Sequence, residues 1–183
     1  LMVWALPYYS VVSEEETING CDIVVADTIR IPPEAVDPSI KNYGRLDFVR
    51  ALFEAYDKEA RYAVLLDGEG NVTEGRGWNI FALDSGHLIS PDEGVLQGIT
   101  RRTVVELAEK LNIEAKFEKL PANRMRGAEE IFLTSPAGGI VPVKSIDGKA
   151  VGDGNVGPVT QRLTDMYWEL HEDDAYTTPV VYN

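Results

Sequence analysis

A chain of 183 residues with 44% apolar and 26% charged residues is long enough for one globular domain with a sizeable core. Its formal net charge of -13 argues against nucleic-acid binding, which needs a basic surface. The single cysteine, Cys21, excludes an internal disulfide, and the absence of a signal-like start predicts a cytoplasmic protein.

The residue pattern also disfavours a membrane-spanning protein and a zinc protein. No apolar run is long enough to cross a bilayer. The two histidines, His87 and His171, lie far apart, and no Cys/His cluster predicts a zinc site. The first residues, 1–8, read like the middle of a protein, so we expect further residues upstream and assign 1–20 to a linker.

The first half of the chain predicts strands around one helix. A β-rich segment over 21–31 ends at two prolines. A helix over 46–56 follows, because apolar side chains recur on one helical face. That face comprises Leu46, Val49, Phe53 and Tyr56. The other predicted elements are a polar loop over 12–20 and strands over 61–66, 72–83 and 87–90, joined by Gly/Asn/Asp turns.

The second half predicts two helices and more strands. A helix over 100–111 has an apolar stripe, and so does a last helix over 157–171. The stripes are Val104, Leu107, Ala108 and Leu111 in the first, and Val159, Leu163, Met166, Tyr167 and Leu170 in the second. Strands are predicted over 113–120 and 130–134, with a hairpin over 141–151. This order predicts an α+β domain on a mixed, barrel-like sheet.

Lys41 is the first candidate for chemistry. It lies between the extended segment and the helix, where a lysine can be held rigidly and partly out of water. Desolvation disfavours the ammonium form, so such an amine becomes nucleophilic and can form a Schiff base. The alternative is a solvated surface charge, which is the commoner state of lysine.

Glu74 is the second candidate, in the sequence Glu-Gly-Arg-Gly-Trp-Asn. A carboxylate between glycines in a strand would be poorly solvated without a cationic partner, and a protonated pyridine nitrogen could be that partner. The alternative is a hairpin glutamate that faces water.

Two loops could bind phosphate. In Leu96-Gln-Gly-Ile-Thr-Arg, a glycine before a helix exposes the N–H groups of Ile99 and Thr100, and the Thr100 hydroxyl adds a donor. The alternative is that Thr100 only caps the helix. Residues 134–139 place hydroxyls and glycines after a buried strand, which could hold phosphate or a substrate carboxylate, or could be a plain turn. Arg45 could pair with an anionic substrate group or with a surface carboxylate.

The order of these motifs resembles the fold-type IV pyridoxal-phosphate (PLP) enzymes. The shared features are Lys41, Glu-Gly-x-Gly-x-Asn from Glu74, Leu-Gln-Gly-Ile-Thr-Arg from Leu96, and Ser-x-Ala-Gly-Gly from Ser135. The family includes branched-chain and D-amino-acid aminotransferases and aminodeoxychorismate lyases, and the resemblance is closest to the (R)-selective amine transaminases. It extends over nearly the whole chain.

The resemblance implies a role for each residue. Lys41 would form the Schiff base with PLP and move the proton, and Glu74 would pair with the pyridinium nitrogen. Leu96 would pack on the ring, Ile99, Thr100 and Ser135 would bind phosphate, and Pro136 and Ala137 would lie at the substrate. It also implies that residues 21–183 are the large, pseudo-barrel C-terminal domain, that the small N-terminal domain is absent from this chain, and that the enzyme is a homodimer.

Two positions depart from the family pattern. Pro136 stands where the family often has a threonine or an alanine, and proline has no N–H to give a carboxylate. Leu46 stands five positions after the lysine, where branched-chain enzymes tend to have tyrosine. Both lean away from an L-branched-chain substrate. The family's phosphate-binding arginine belongs to the absent domain.

Three functions remain open. The first is a transaminase that moves an amino group from an (R)-amine or D-amino acid to a keto acid. The second is a branched-chain L-amino-acid aminotransferase or an aminodeoxychorismate-lyase-like enzyme. The third is an inactive half-enzyme that serves as a binding or assembly module.

Overall fold

A computed structural model describes Pro7 and residues 9–179. The helices are α1 (Glu14–Asn19), α2 (Leu46–Asp57), α3 (Ile99–Lys110), α4 (Ala122–Arg126) and α5 (Pro158–Glu169), and a short 3-10 helix (Leu170–Glu172) continues α5. The strands are β1 (Cys21–Ile29), β2 (Tyr62–Leu66), β3 (Val72–Gly75), β4 (Asn79–Asp84), β5 (His87–Ser90), β6 (Ala115–Phe117), β7 (Glu130–Ser135), β8 (Gly139–Ile146) and β9 (Lys149–Ala150).

The strands form one mixed sheet that curls back on itself. Its order is β3-β2-β1-β8-β7-β4-β5-β6, and β9 pairs with β8. β3 and β4 are five positions apart in that order, yet Gly75 bridges to Trp78 across the turn between them. The six strands from β3 to β4 therefore form a nearly closed ring, and the predicted α+β pseudo-barrel is confirmed.

The central strands are buried on both faces, which explains their continuous apolar sequences. Along β4, Ile80 and Ala82 belong to the cluster inside the ring, whereas Phe81 and Leu83 belong to the cluster beneath α3 and α5. Phe81 stacks on Phe132 of β7 with ring centroids 5.2 Å apart. The strand period of two thus divides the core into an inner and an outer layer.

The predicted buried face of α2 is wrong. Leu46 and Phe53 are 81% and 61% exposed, and Tyr56 is exposed as well. The side chains that pack on β1 and β2 are Phe48, Ala51 and Ala55. Small alanines let the helix approach the sheet closely, so the larger apolar residues are left on the outer side.

Several boundaries differ from the sequence prediction. The predicted loop over 12–20 contains α1, whose start is fixed by a reciprocal capping box between Ser13 and Glu16. The predicted strand over 72–83 is divided by the turn at Arg76 and Gly77 into β3 and β4. The strand predicted over 113–120 keeps only β6, and α4 was not predicted. Residues 1–6 and 8 of the predicted linker lie outside the described residues.

The predicted stripes of α3 and α5 are confirmed in the outer core. Val104, Leu107 and Leu163 are fully buried there. Among the described residues, no helix is long and apolar enough to cross a membrane.

Candidate active site

Glu74 lies at the end of β3, inside the nearly closed ring, and is only 3% exposed. Its carboxylate accepts a 2.9 Å hydrogen bond from the Leu96 N–H and a 3.1 Å bond from the Asn79 amide. The alternative of a hairpin glutamate facing water is therefore wrong.

A buried arginine supplies the positive charge near Glu74. Arg30, just after β1, places Nη2 3.4 Å from the Glu74 carboxylate and donates from Nη1 to Asp47 at 2.6 Å. The Asp47 carboxylate also accepts the N–H of Ile31, and so ties the first turn of α2 to the end of β1. The guanidinium of Arg30 lies over the Phe48 ring, 4.4 Å from its centroid.

Burial raises the pKa of Glu74 above its ordinary value. The Leu96 hydrogen bond and the nearby charges of Arg30 and Arg45 act in the opposite direction. Desolvation is the larger effect, so a further cation close to the carboxylate would stabilise the ionised form of Glu74.

Asn79 connects Glu74 to the start of α3. Its amide donates to Glu74 and also, at 2.9 Å, to the Leu96 carbonyl. A Cβ on Gly98 would lie 2.2 Å from the Asn79 Oδ1 atom, so only glycine allows this approach of the loop. The carboxylate and the helix N-terminus are thus held in one arrangement.

The N-terminus of α3 offers free donors. Gly98 precedes the helix, and among residues 9–179 no side chain caps it, so Thr100 is not the cap. The N–H groups of a helix's first turn have no partner within the helix. Thr100 is buried in that turn, whereas Ile99 is exposed. Arg101 is buried and donates to Ser90, Gln97 and the Pro91 carbonyl, which fixes the loop before the helix.

Lys41 lies in the loop between β1 and α2 and is exposed, contrary to the expected partial desolvation. It lines a pocket of about 470 Å³ together with Arg76 and Trp78 of the β3–β4 turn. This turn begins two residues after Glu74, so the pocket lies near the Glu74 end of β3, but neither Glu74 nor the predicted phosphate-binding residues line it.

The loop after β7 lies next to the same turn. Thr134 pairs with Asn79 across the sheet, and Ser135 follows it. Ser135 is buried and its hydroxyl accepts the Ala137 N–H at 3.3 Å. Pro136 is exposed, and the Ala137 carbonyl accepts the N–H of Val11 at 2.7 Å.

Sequence reasoning found Glu74 and the α3 start but missed Arg30 and Asp47. Arg30 is next to the Ile-Pro-Pro segment and shows no motif of its own. Its signal is indirect: a carboxylate buried in a strand requires a cation, and this arginine directly follows β1, which is separated from β3 only by β2. Asp47 appeared only as part of an amphipathic helix.

This sheet and site are those of an aminotransferase domain. The sequence matches the family described as amino-transferase class IV over residues 5–146, and the chain belongs to that family. The predicted resemblance to fold-type IV aminotransferases is confirmed.

Two similar proteins carry names of branched-chain aminotransferases. Branched-chain-amino-acid aminotransferase-like protein 1 of Arabidopsis thaliana is 34% identical over 98% of this chain and 31% of its own length. The branched-chain-amino-acid aminotransferase of Escherichia coli K12 is 31% identical over 93% of this chain and 56% of its own.

Solved structures of branched-chain aminotransferases have the same fold as this chain. The crystal structure of the Escherichia coli enzyme superposes with a TM-score of 0.87 at 32% identity, covering 90% of this chain and 55% of that one. The branched-chain amino acid aminotransferase from Thermobaculum terrenum in its PLP form gives 0.81 at 32% identity, covering 89% and 54%. This chain therefore spans about a third to a half of the length of these relatives.

Proposed function

We propose that this chain is the large domain of a PLP-dependent aminotransferase that moves an amino group from a branched-chain L-amino acid to a keto acid. The observation that carries the proposal is the buried Glu74, held by Leu96 and Asn79 at the end of a strand that leads to the Lys41 pocket. The names of the relatives favour a branched-chain amino acid as the donor. Residues 21–183 would be the cofactor-binding domain, and a homodimer is proposed from the resemblance alone.

The described residues fit PLP. The group has a pyridine nitrogen that binds a proton and a phosphate that binds N–H donors. Glu74 is a buried carboxylate whose burial cost falls when it meets a cation. The α3 N-terminus provides unpartnered N–H groups and the dipole that favour an anion.

When bound, PLP supplies an electron sink for the bond-breaking at the substrate carbon. Lys41 is the amine that would hold the cofactor and then carry the proton. Glu74 would keep the ring nitrogen protonated, and Leu96 would pack on the ring. Ile99, Thr100 and Ser135 would bind the phosphate, while Pro136 and Ala137 would border the substrate.

Covalent labelling and a turnover assay test the role of Lys41. The chain is mixed with PLP, reduced with borohydride and mapped by peptide mass, and we expect the cofactor on Lys41. Lys41→Ala should lose both the label and turnover, while Lys149→Ala, an exposed lysine on β9, should keep them. Transamination retained in Lys41→Ala would overturn the proposal.

A donor panel then decides the substrate. L-leucine, D-alanine, (R)-1-phenylethylamine and aminodeoxychorismate are compared with one keto acid as acceptor. We expect L-leucine to react fastest. No turnover with any donor, together with no PLP uptake, would favour the inactive binding module.

A second candidate, an (R)-amine or D-amino-acid transaminase, is favoured by two residues. Leu46 provides no hydroxyl at the position where branched-chain enzymes tend to have tyrosine, and Pro136 provides no N–H. A faster reaction with D-alanine or (R)-1-phenylethylamine than with L-leucine would select it.

A further inference from the structure

The pocket beside Lys41 is lined by cations. Four basic side chains border it, and none of its lining residues is acidic. They are Lys41, Arg45, Arg61 and Arg76. In a chain with 30 acidic and 17 basic residues this is an uneven distribution of charge, and it makes the pocket a site that attracts anions.

These cations differ in how far they are already neutralised. Arg61 pairs with Glu16 at 2.9 Å. Arg45 donates from Nε to the Asn42 carbonyl and lies over the Phe48 ring, 5.3 Å from its centroid. Arg76 is exposed, and it has neither an ion pair nor a side-chain hydrogen bond with any residue in the described part of the chain. Arg76 is therefore the guanidinium with its donors free for a ligand.

The backbone holds Arg76 at this pocket. It is the first residue of the tight turn between β3 and β4, where the Gly75 N–H donates to the Trp78 carbonyl at 3.2 Å. Gly77 completes the turn at a φ of 90°, which favours glycine. Since this turn also closes the ring of strands, the base of the Arg76 side chain has a fixed position.

The loop after β7 has few donors left for a carboxylate. Pro136 has no N–H. The Ala137 N–H donates to the Ser135 hydroxyl, and the Gly138 N–H donates to the Ser135 carbonyl at 3.3 Å. A substrate carboxylate would have to break these bonds in order to bind there.

We propose that Arg76 is a specificity-determining residue that binds the carboxylate of the substrate, with Arg45 adding to the positive potential of the pocket. The inference rests on the proposed function and deepens it, because it names the residue that would bind the carboxylate of the amino-acid donor. A guanidinium can bind a carboxylate through two parallel hydrogen bonds, which gives orientation as well as affinity.

A binding experiment tests the subsite without catalysis. Isothermal titration compares 4-methylpentanoate with 4-methylpentan-1-ol, which has the same skeleton without the charge, on the full chain with PLP. We expect the acid to bind about tenfold or more tightly than the alcohol, the scale of a charged hydrogen bond. Arg76→Gln should remove this difference, Arg76→Lys should restore part of it, and Arg162→Gln, an exposed arginine on α5, should keep it.

Kinetics test the same residue in turnover. L-leucine is compared with 3-methylbutylamine, which lacks only the carboxylate. Arg76→Gln should lower kcat/KM for L-leucine about tenfold to a hundredfold and leave the value for the amine unchanged.

The outcomes separate the subsite from the proposed function. Equal binding of acid and alcohol by the unaltered protein, or an acid preference that survives Arg76→Gln, would overturn the subsite. If no donor is turned over but the acid preference depends on Arg76, the proposed function fails and the anion subsite stands.

Discussion

The side-chain amide of Asn79 donates a 3.1 Å hydrogen bond to the Glu74 carboxylate. The same amide donates to the Leu96 carbonyl, while the Leu96 N–H donates to Glu74. Three groups from β3, β4 and the loop before α3 thus form one buried network. The carboxylate proposed for the ring nitrogen is positioned by the same bonds that fix the start of the proposed phosphate site.

Replacing Asn79 by alanine should therefore loosen both parts of the site. Asn79 is buried, so the change leaves the Leu96 carbonyl and the Glu74 carboxylate with fewer partners. We expect a loss of about 1–3 kcal/mol in the free energy of unfolding. Urea titration measures it, with Asn155→Ala, an exposed asparagine, as the control. Equal midpoints for the two variants would contradict the structural role.

Local patterns were enough to predict the elements near the site. Glu-Gly-x-Gly-x-Asn and Leu-Gln-Gly-Ile-Thr-Arg placed Glu74 and Thr100 correctly on a strand and at a helix start, because glycine and turn chemistry act over a few residues. The apolar stretch over 130–134 likewise predicted the buried strand β7.

Contacts between distant segments could not be predicted in this way. Arg30 meets Asp47 and Glu74 only because β1, α2 and β3 pack together. The buried face of α2 was missed for a related reason: apolar periodicity shows that a helix has a face, but the choice of the face that packs on a sheet depends on side-chain size and on what covers the other side.

A pair of phenylalanines on α2 tests which face is buried. Phe48 is 1% exposed and packs on the sheet, whereas Phe53 is 61% exposed. We expect Phe48→Ala to lower the free energy of unfolding by about 3–5 kcal/mol and Phe53→Ala to change it by less than about 0.5 kcal/mol. Urea unfolding followed by circular dichroism gives both values. A larger loss of unfolding free energy from Phe53→Ala than from Phe48→Ala would mean that the helix packs through the face predicted from the sequence.

The turn that closes the ring depends on Gly75. A Cβ there would lie 2.0 Å from the Trp78 ring, so the indole must move. We expect Gly75→Ala to cost about 1–3 kcal/mol in unfolding free energy, as for an overpacked core, and to shift Trp78 fluorescence. Gly68→Ala is the matched control, since its Cβ would meet no atom within 4 Å. Trp4 and Trp168 are replaced by phenylalanine for this measurement, so that the emission comes from Trp78 alone. An unchanged emission spectrum in Gly75→Ala would then show that Trp78 does not pack on this glycine.

The protonation of Glu74 predicts a pH dependence in the cofactor-free protein. Burial raises the pKa of Glu74 above its ordinary value of 4.5, so the folded state binds the proton more tightly than the unfolded state. The stability contributed by this proton is fully present below pH 4.5 and is lost as the pH rises through the raised value. Above that raised value the folded protein carries a buried, ionised carboxylate.

Glu74→Gln imitates the protonated form and removes that cost. We expect the difference in unfolding free energy, variant minus wild type, to be positive at pH 8 and to shrink as the pH falls toward 4.5, measured by urea titration at each pH. Glu34→Gln, at an exposed glutamate, controls for the loss of one negative charge. A difference that grows as the pH falls would mean that Arg30 and the Leu96 N–H outweigh desolvation, and that Glu74 is held ionised without a cofactor.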